Sequence, residues 1–102
     1  MRQITSDAYY AFQNAERFKR SNTEVKIYLG GTKILLLHGN EIVKYENGET
    51  FISDAGWATN TTRERLSPFV RGTIRRKYDE IIINEKVVLN NKWLNLNSIE
   101  RR

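Results

Sequence analysis

Apolar positions near the start of the chain recur with a helical period. Ile4, Ala8, Ala11, Phe12, Ala15 and Phe18 stand at offsets of 0, 4, 7, 8, 11 and 14, a narrow stripe that predicts an amphipathic helix over Ile4 to Phe18. Thr5 or Ser6 offers an N-cap and Asp7 suits the positive end of the helix dipole, while Arg17, Lys19 and Arg20 suit the negative end. Ser21-Asn22 ends the helix and the period changes to two. Val25, Ile27 and Leu29 alternate with Glu24, Lys26 and Tyr28, as in a strand with one buried face. Gly30-Gly31 turns the chain, because glycine accepts the positive φ of tight hairpins. Ile34 to Leu37 lacks alternation, which predicts a central strand covered on both faces. His38-Gly39-Asn40 makes the next turn, the strand Glu41 to Tyr45 follows, and Asn47-Gly48 is a strong hairpin signal before a strand from Glu49 to Ser53.

Asp54-Ala55-Gly56 leaves the sheet, and Trp57 is expected to pack over its edge. Thr61-Thr62-Arg63-Glu64 has the form of a capping box, which places a helix start there. Pro68 stops or kinks that helix, with Ser67-Pro68 able to restart it as N-cap and first residue, and Leu66, Phe69, Val70 and Ile74 keep an apolar face. From Glu80 to Leu96 the runs Ile-Ile-Ile, Lys-Val-Val-Leu and Lys-Trp-Leu-Asn-Leu are separated by turns at Asn84-Glu85 and Asn90-Asn91. They predict a C-terminal β-hairpin or three-stranded extension. It could join the first sheet or pair with a second copy of the chain, making a homo-oligomer through these strands. Ser98 to Arg102 reads as a loose end. The fold class is α+β: an N-terminal helix packed on a four-stranded antiparallel meander, a short helix and the C-terminal strands, in a single domain over residues 1–102.

Composition agrees with a folded chain, with 39% hydrophobic residues, 28% charged residues and eleven aromatics. The absence of cysteine rules out disulfides and thiolate metal sites. Met1 is followed by a charged, polar segment, and the longest apolar run, Ile34 to Leu37, is far too short to span a bilayer. No membrane partner is expected, and the default location is cytoplasmic, in the host cell.

Charge changes the picture. Up to Asn60, seven basic residues balance seven acids, whereas from Thr61 onward ten basic residues face five acids, which accounts for the net +5. Arg63, Arg65, Arg71, Arg75, Arg76 and Lys77 are concentrated between residues 63 and 77 against the single acid Glu64. Like charges at this density need a counter-surface, so these six residues are the candidate partner-binding set.

Candidate catalytic chemistry is sparse. His38, the only histidine, lies at a turn without cysteine or a paired carboxylate nearby in sequence, and reads as a turn residue rather than a general base or metal ligand. Asp54 likewise reads as a turn residue. Thr61, Thr62 and Arg65 could form an anion site, but a cap with Arg65 tied to an acid in the sheet is the structural reading to weigh against it. Trp57 and Trp93 read as core residues, and Tyr28 as the more exposed aromatic. No phosphate loop, nucleophile elbow or metal-spaced cluster occurs. No enzyme activity, metal or cofactor is expected.

The run Leu37 to Ile42, Leu-His-Gly-Asn-Glu-Ile, followed by Gly56 to Leu66, Gly-Trp-Ala-Thr-Asn-Thr-Thr-Arg-Glu-Arg-Leu, resembles a family of small bacteriophage proteins. The likeness runs from about Ile4 to Leu66 and includes the Ile-Thr-Ser opening and Ser21-Asn22-Thr23. The resemblance implies the fold and a phage origin. It brings no established activity, hence no catalytic residues to carry over, and the chain departs from it after Pro68, where the basic cluster lies. The expectation is a non-enzymatic phage accessory protein that binds and inhibits or modulates a host factor, either a host protein or a nucleoprotein complex. A nucleic-acid-handling defence complex, as in anti-restriction or anti-CRISPR action, is the kind of target envisaged. The alternative is direct nucleic-acid binding through the basic segment 63–77.

Overall fold

The computed structural model describes residues 2–100. Helix α1 (Gln3–Gln13) precedes strands β1 (Phe18–Arg20), β2 (Thr23–Ile27), β3 (Lys33–Leu37), β4 (Asn40–Glu46) and β5 (Glu49–Ile52). Helix α2 (Asn60–Leu66) runs into a 3-10 turn at Ser67–Phe69, and then come β6 (Ile74–Lys77), β7 (Glu80–Ile83), β8 (Val87–Leu89), β9 (Leu94–Asn95) and α3 (Leu96–Glu100). The fold is α+β. Strands β1-β2-β3-β4-β5-β9 form a six-stranded sheet and β6-β7-β8 a three-stranded one, with every pair antiparallel. The C-terminal segment therefore does two things: β6 to β8 form their own sheet, while β9 joins the predicted meander at β5.

α1 is shorter than its apolar stripe predicts. The Glu16 amide bonds the Ala11 carbonyl and the Ala15 amide bonds the Phe12 carbonyl, with Ala15 in the left-handed region at φ 55. This double bond pattern terminates a helix, and it usually announces itself by a glycine that this sequence lacks. The N-cap is Arg2, not Thr5 or Ser6, which lie inside the first turn. Phe18, Lys19 and Arg20 consequently belong to β1, and Arg20 pairs with Asp7 at 2.7 Å instead of serving the helix C-terminus. That hydrogen bond, with one from Gln3, holds the Asp7 carboxyl below its usual range.

β3 is central, as predicted, but its two faces are covered differently. Leu35 and Leu37 join Ala8, Ala11, Phe12 and Val25 in the core under α1. Ile34 and Leu36 point the other way, and their cross-strand neighbours are Lys26 and Lys44, and Glu24 and Glu41. Long charged side chains, not a second layer, flank that outer pair. β2 stops at Ile27, so Leu29 sits fully exposed on the hairpin turn instead of continuing the alternation. Between Leu35 and Leu36 the register of β3 against β4 shifts, leaving Ile42 as an extra residue. This bulge allows consecutive Ile42 and Val43 both to be buried.

The second helix also starts earlier than predicted. Thr59, not Thr61, is the N-cap, its hydroxyl accepting from the Thr62 amide at 3.1 Å, and Glu64 does not complete a capping box. After the 3-10 turn containing Pro68 the backbone becomes extended at Val70, so Ile74 begins a strand and not another helical turn. Ile81, Ile83 and Leu89 of the small sheet join Leu66, Val70 and the α1 residues in one core cluster. Ser98, expected in a loose end, lies in α3, while residues 101–102 of that segment lie outside the described residues.

Gly72 fixes the entry to the small sheet. It has φ +100, and a Cβ there would stand 2.1 Å from Asn84 Oδ1. Asn84 has little freedom to yield, because it accepts from the Thr73 amide at 2.8 Å and donates to the Arg71 carbonyl at 3.2 Å. Gly72→Ala is expected to cost roughly 1–3 kcal/mol through the unfavourable φ and the broken Asn84 clamp. Urea unfolding should show the loss, and a midpoint equal to that of the parent chain would refute the clamp.

Candidate functional site

The predicted basic cluster does not form one continuous cationic face. On β6, Arg75 and Lys77 alternate with Ile74 and Arg76, and the register pairs Arg75 with Ile82, Arg76 with Ile81 and Lys77 with Glu80. Since Ile81 and Ile83 are fully buried, the Arg76 side of the strand faces the core and the Arg75 side faces outward. Arg76 reaches past the core edge to donate from Nε to the Ala58 carbonyl at 2.7 Å, and its Nη2 lies 3.8 Å from Asp79. Arg75 makes a two-pronged contact with Glu85, Nε to Oε2 at 2.6 Å and Nη2 to Oε1 at 2.8 Å. That hydrogen bonding raises the Arg75 pKa and lowers that of Glu85. Lys77 Nζ stands 5.8 Å from the centre of the exposed Tyr78 ring.

Arg71 lies apart from β6, exposed beside a hollow of about 260 Å³ lined also by Tyr9, Gln13 and Phe69. Arg63 is half-buried on α2 and makes no ion pair among the described residues. Arg65 is removed from the contact surface altogether. It is 2% exposed, its Nε donates to Thr23 Oγ1 at 3.0 Å, and its Nη1 donates to Thr5 Oγ1 at 2.9 Å and to Glu64 Oε1 at 2.8 Å. Thr5 in turn donates to Glu64 and Thr23 donates to Asn22, so each hydroxyl accepts one bond and gives one. Arg65 thus joins α1, β2 and α2, and its acid partner is its own neighbour, not a residue of the sheet. Burial pushes its pKa down against the pull of Glu64. With Arg65 turned inward and the α2 amides capped by Thr59, the Thr61-Thr62-Arg65 anion site is not assembled.

The outer face of the small sheet has mixed character. Arg75, Ile82 and Val88 stand in one cross-strand row, with Val88 42% exposed, and Lys77 faces Glu80 in the adjoining row. Exposed Asp79 and Glu85 border it. The face therefore presents an apolar centre ringed by both signs of charge.

A second feature lies away from the predicted basic cluster. The turn at His38, the loop from Asp54 to Trp57 and the start of α2 enclose a cleft of about 490 Å³. Leu37, Ile42 and Ala55 supply apolar lining, and His38, Asn40, Asp54, Thr59, Thr61 and Thr62 supply polar groups. Trp57, expected in the core, instead lines this cleft with 62% of its surface exposed. Trp93 is also partly exposed, with Lys44 Nζ 4.7 Å from its ring centre. Asn22 Nδ2 stands 3.4 Å from His38 Nε2, and no group of three His, Cys, Asp or Glu side chains able to hold a metal occurs among the described residues.

A family model described as Kyanoviridae Gp96 protein matches residues 1–99. The chain belongs to this family of phage proteins. No curated protein and no solved structure matches it. The Kyanoviridae Gp96 match continues past Leu66, where the sequence resemblance ended, and so takes in both the cleft and the small sheet. Among the described residues of this family member, no helix is long and apolar enough to cross a membrane. The cleft escaped sequence reasoning because its walls are brought together by the bulge at Ile42 and by the loop fold around Asp54. The available signal was that both stretches carrying the family resemblance contribute to it.

Proposed function

We propose that this Kyanoviridae Gp96 protein is a non-enzymatic phage accessory protein that binds a host protein or nucleoprotein complex and inhibits or modulates it. Defence machinery acting on nucleic acid is the target class that fits a phage accessory role. The observation that carries the reading is the outer face of β6-β7-β8, where Ile82 and Val88 lie in the same row as Arg75, within interleaved cations and acids. An apolar centre with a charged rim is the composition of a protein contact. A phosphate backbone would favour unpaired cations, and here Arg75 is already engaged by Glu85 while Lys77 stands opposite Glu80. This favours a protein surface over direct nucleic-acid binding through segment 63–77.

The test is recovery of partners from host lysate by the tagged full chain, with and without nuclease. Recovery is expected to survive nuclease and to fall with Lys77→Ser combined with Val88→Ser. Those outward-facing changes should alter stability by only about 0.5 kcal/mol each, so folding and binding separate. On mixed-sequence oligonucleotides, a log-log salt slope near −3 to −4, from about four phosphate contacts, would instead establish nucleic-acid binding.

A further inference from the structure

Asp54 holds a carboxylate in the cleft beside α2 without a cation to neutralise it. Its residue is 4% exposed, and Oδ1 accepts from the Gly56 and Asn91 amides, both at 2.9 Å. Oδ2 has no donor among the described residues, yet no sealed side-chain oxygen there lacks a partner. Oδ2 is therefore not sealed from solvent, on a residue that lines the cleft. No ion pair involves Asp54 among the described residues, and none of the residues lining the cleft is Lys or Arg. A carboxylate so placed gains most from a charged donor that enters from outside.

The cleft surroundings select the shape of that donor. Trp57 lines the cleft and is mostly exposed, and an accessible indole is a surface on which a planar cation can stack. Asn40 Oδ1 and Thr61 Oγ1 have no hydrogen-bond partner among the described residues and add acceptors along the wall. A phosphate would find no Lys or Arg on these walls and would be repelled by Asp54. The site also borders the small sheet, since Arg76 of β6 is tied to Ala58, the residue after Trp57.

We infer that the cleft receives an arginine side chain of the bound protein, the guanidinium stacking on Trp57 and donating to Asp54 Oδ2. This rests on the protein-partner reading above and refines it: the partner surface carries an arginine for the cleft, accompanied by acids that meet Lys77 and its neighbours. Guanidinium is favoured over ammonium because its flat fork serves the indole face and several acceptors at once.

Amide NMR of the full chain, titrated with acetyl-Asp-Arg-Asp-amide, tests this. The peptide is expected to shift Asn40, Asp54 and Trp57 saturably. Its lysine counterpart should bind more weakly and its glutamine counterpart should not bind. Asp54→Asn keeps an oxygen for the Gly56 and Asn91 amides but removes the charge, and should weaken binding about tenfold or more. If that variant loses the Asn91 amide position, Trp57→Ala, at an exposed residue, carries the same expectation of weakened binding. Equal binding of the arginine and glutamine peptides, or no response to any peptide, would overturn the inference. Saturable binding of guanosine monophosphate with the arginine peptide silent would overturn it in favour of a nucleotide site. Host protein recovered at the parent level by Asp54→Asn would overturn the cleft role and leave the partner reading intact. Nuclease-sensitive recovery with arginine binding retained would do the reverse.

Discussion

Arg65→Ala is expected to lower stability by about 3–5 kcal/mol, because it removes one member of a buried charge network and leaves the others without compensation. The side chain that disappears is 2% exposed and bonds Thr5, Thr23 and Glu64, residues on α1, on β2 and beside it on α2. For a domain of this size the loss corresponds to a fall in thermal midpoint of roughly 12–40 °C. Arg65→Lys should recover only part of it, since one ammonium cannot reproduce donation from both Nε and Nη1. Circular dichroism melts suffice as the measurement. A loss under about 1 kcal/mol would mean that the network contributes little.

The same network carries an acid dependence. Burial by itself raises the Glu64 pKa, but the Thr5 hydroxyl, the Arg2 amide and the Arg65 charge outweigh it and hold the pKa below the ordinary 4.5. A carboxyl with a depressed folded-state pKa adds stability above its unfolded value and loses it as pH falls through the folded one. Acid unfolding below pH 4.5 should therefore be less steep in Glu64→Gln, within whatever lower stability that variant has.

Phe12→Ala is expected to be comparably severe, at about 3–5 kcal/mol, since it empties the space between α1 and the sheet. Phe12 is 1% exposed, meets Phe69 edge-on at 5.2 Å between ring centres, and lies 5.0 Å from Lys33 Nζ. Burial lowers the Lys33 pKa, and its Nζ stands over the Phe12 and Tyr45 rings, a contact favourable to the cation. Trp57→Ala supplies the contrast. A larger aromatic is removed there, yet it is mostly exposed, and the change should stay within about 0.5 kcal/mol. Denaturant midpoints that rank the two substitutions in the opposite order would refute the assignment of core and surface.

The sequence by itself determined the features that depend on a few neighbouring residues. Gly30-Gly31 and Asn47-Gly48 demand positive φ and make hairpins, the two-residue period from Val25 onward makes a strand, and the apolar run at Ile34 makes the central one. Charge balance located the basic excess after Thr61. Tertiary structure decided what rests on partners far along the chain. The hydroxyls that draw Arg65 inward are 60 and 42 residues away, so its composition-level membership of the basic cluster could not show that it is buried. α1 stops at Gln13, with Ala15 taking the left-handed conformation without a glycine where the chain turns back so that β1 pairs with β2, and Trp57 stays exposed while Leu66, Val70, Ile81 and Ile83 fill the core. The bulge at Ile42, with Asp54 bridging its own loop to the Asn91 turn, shapes a cleft from segments whose local patterns are those of ordinary turns. Local backbone preference is a short-range property, whereas burial and charge pairing are settled only when distant segments compete for the same space.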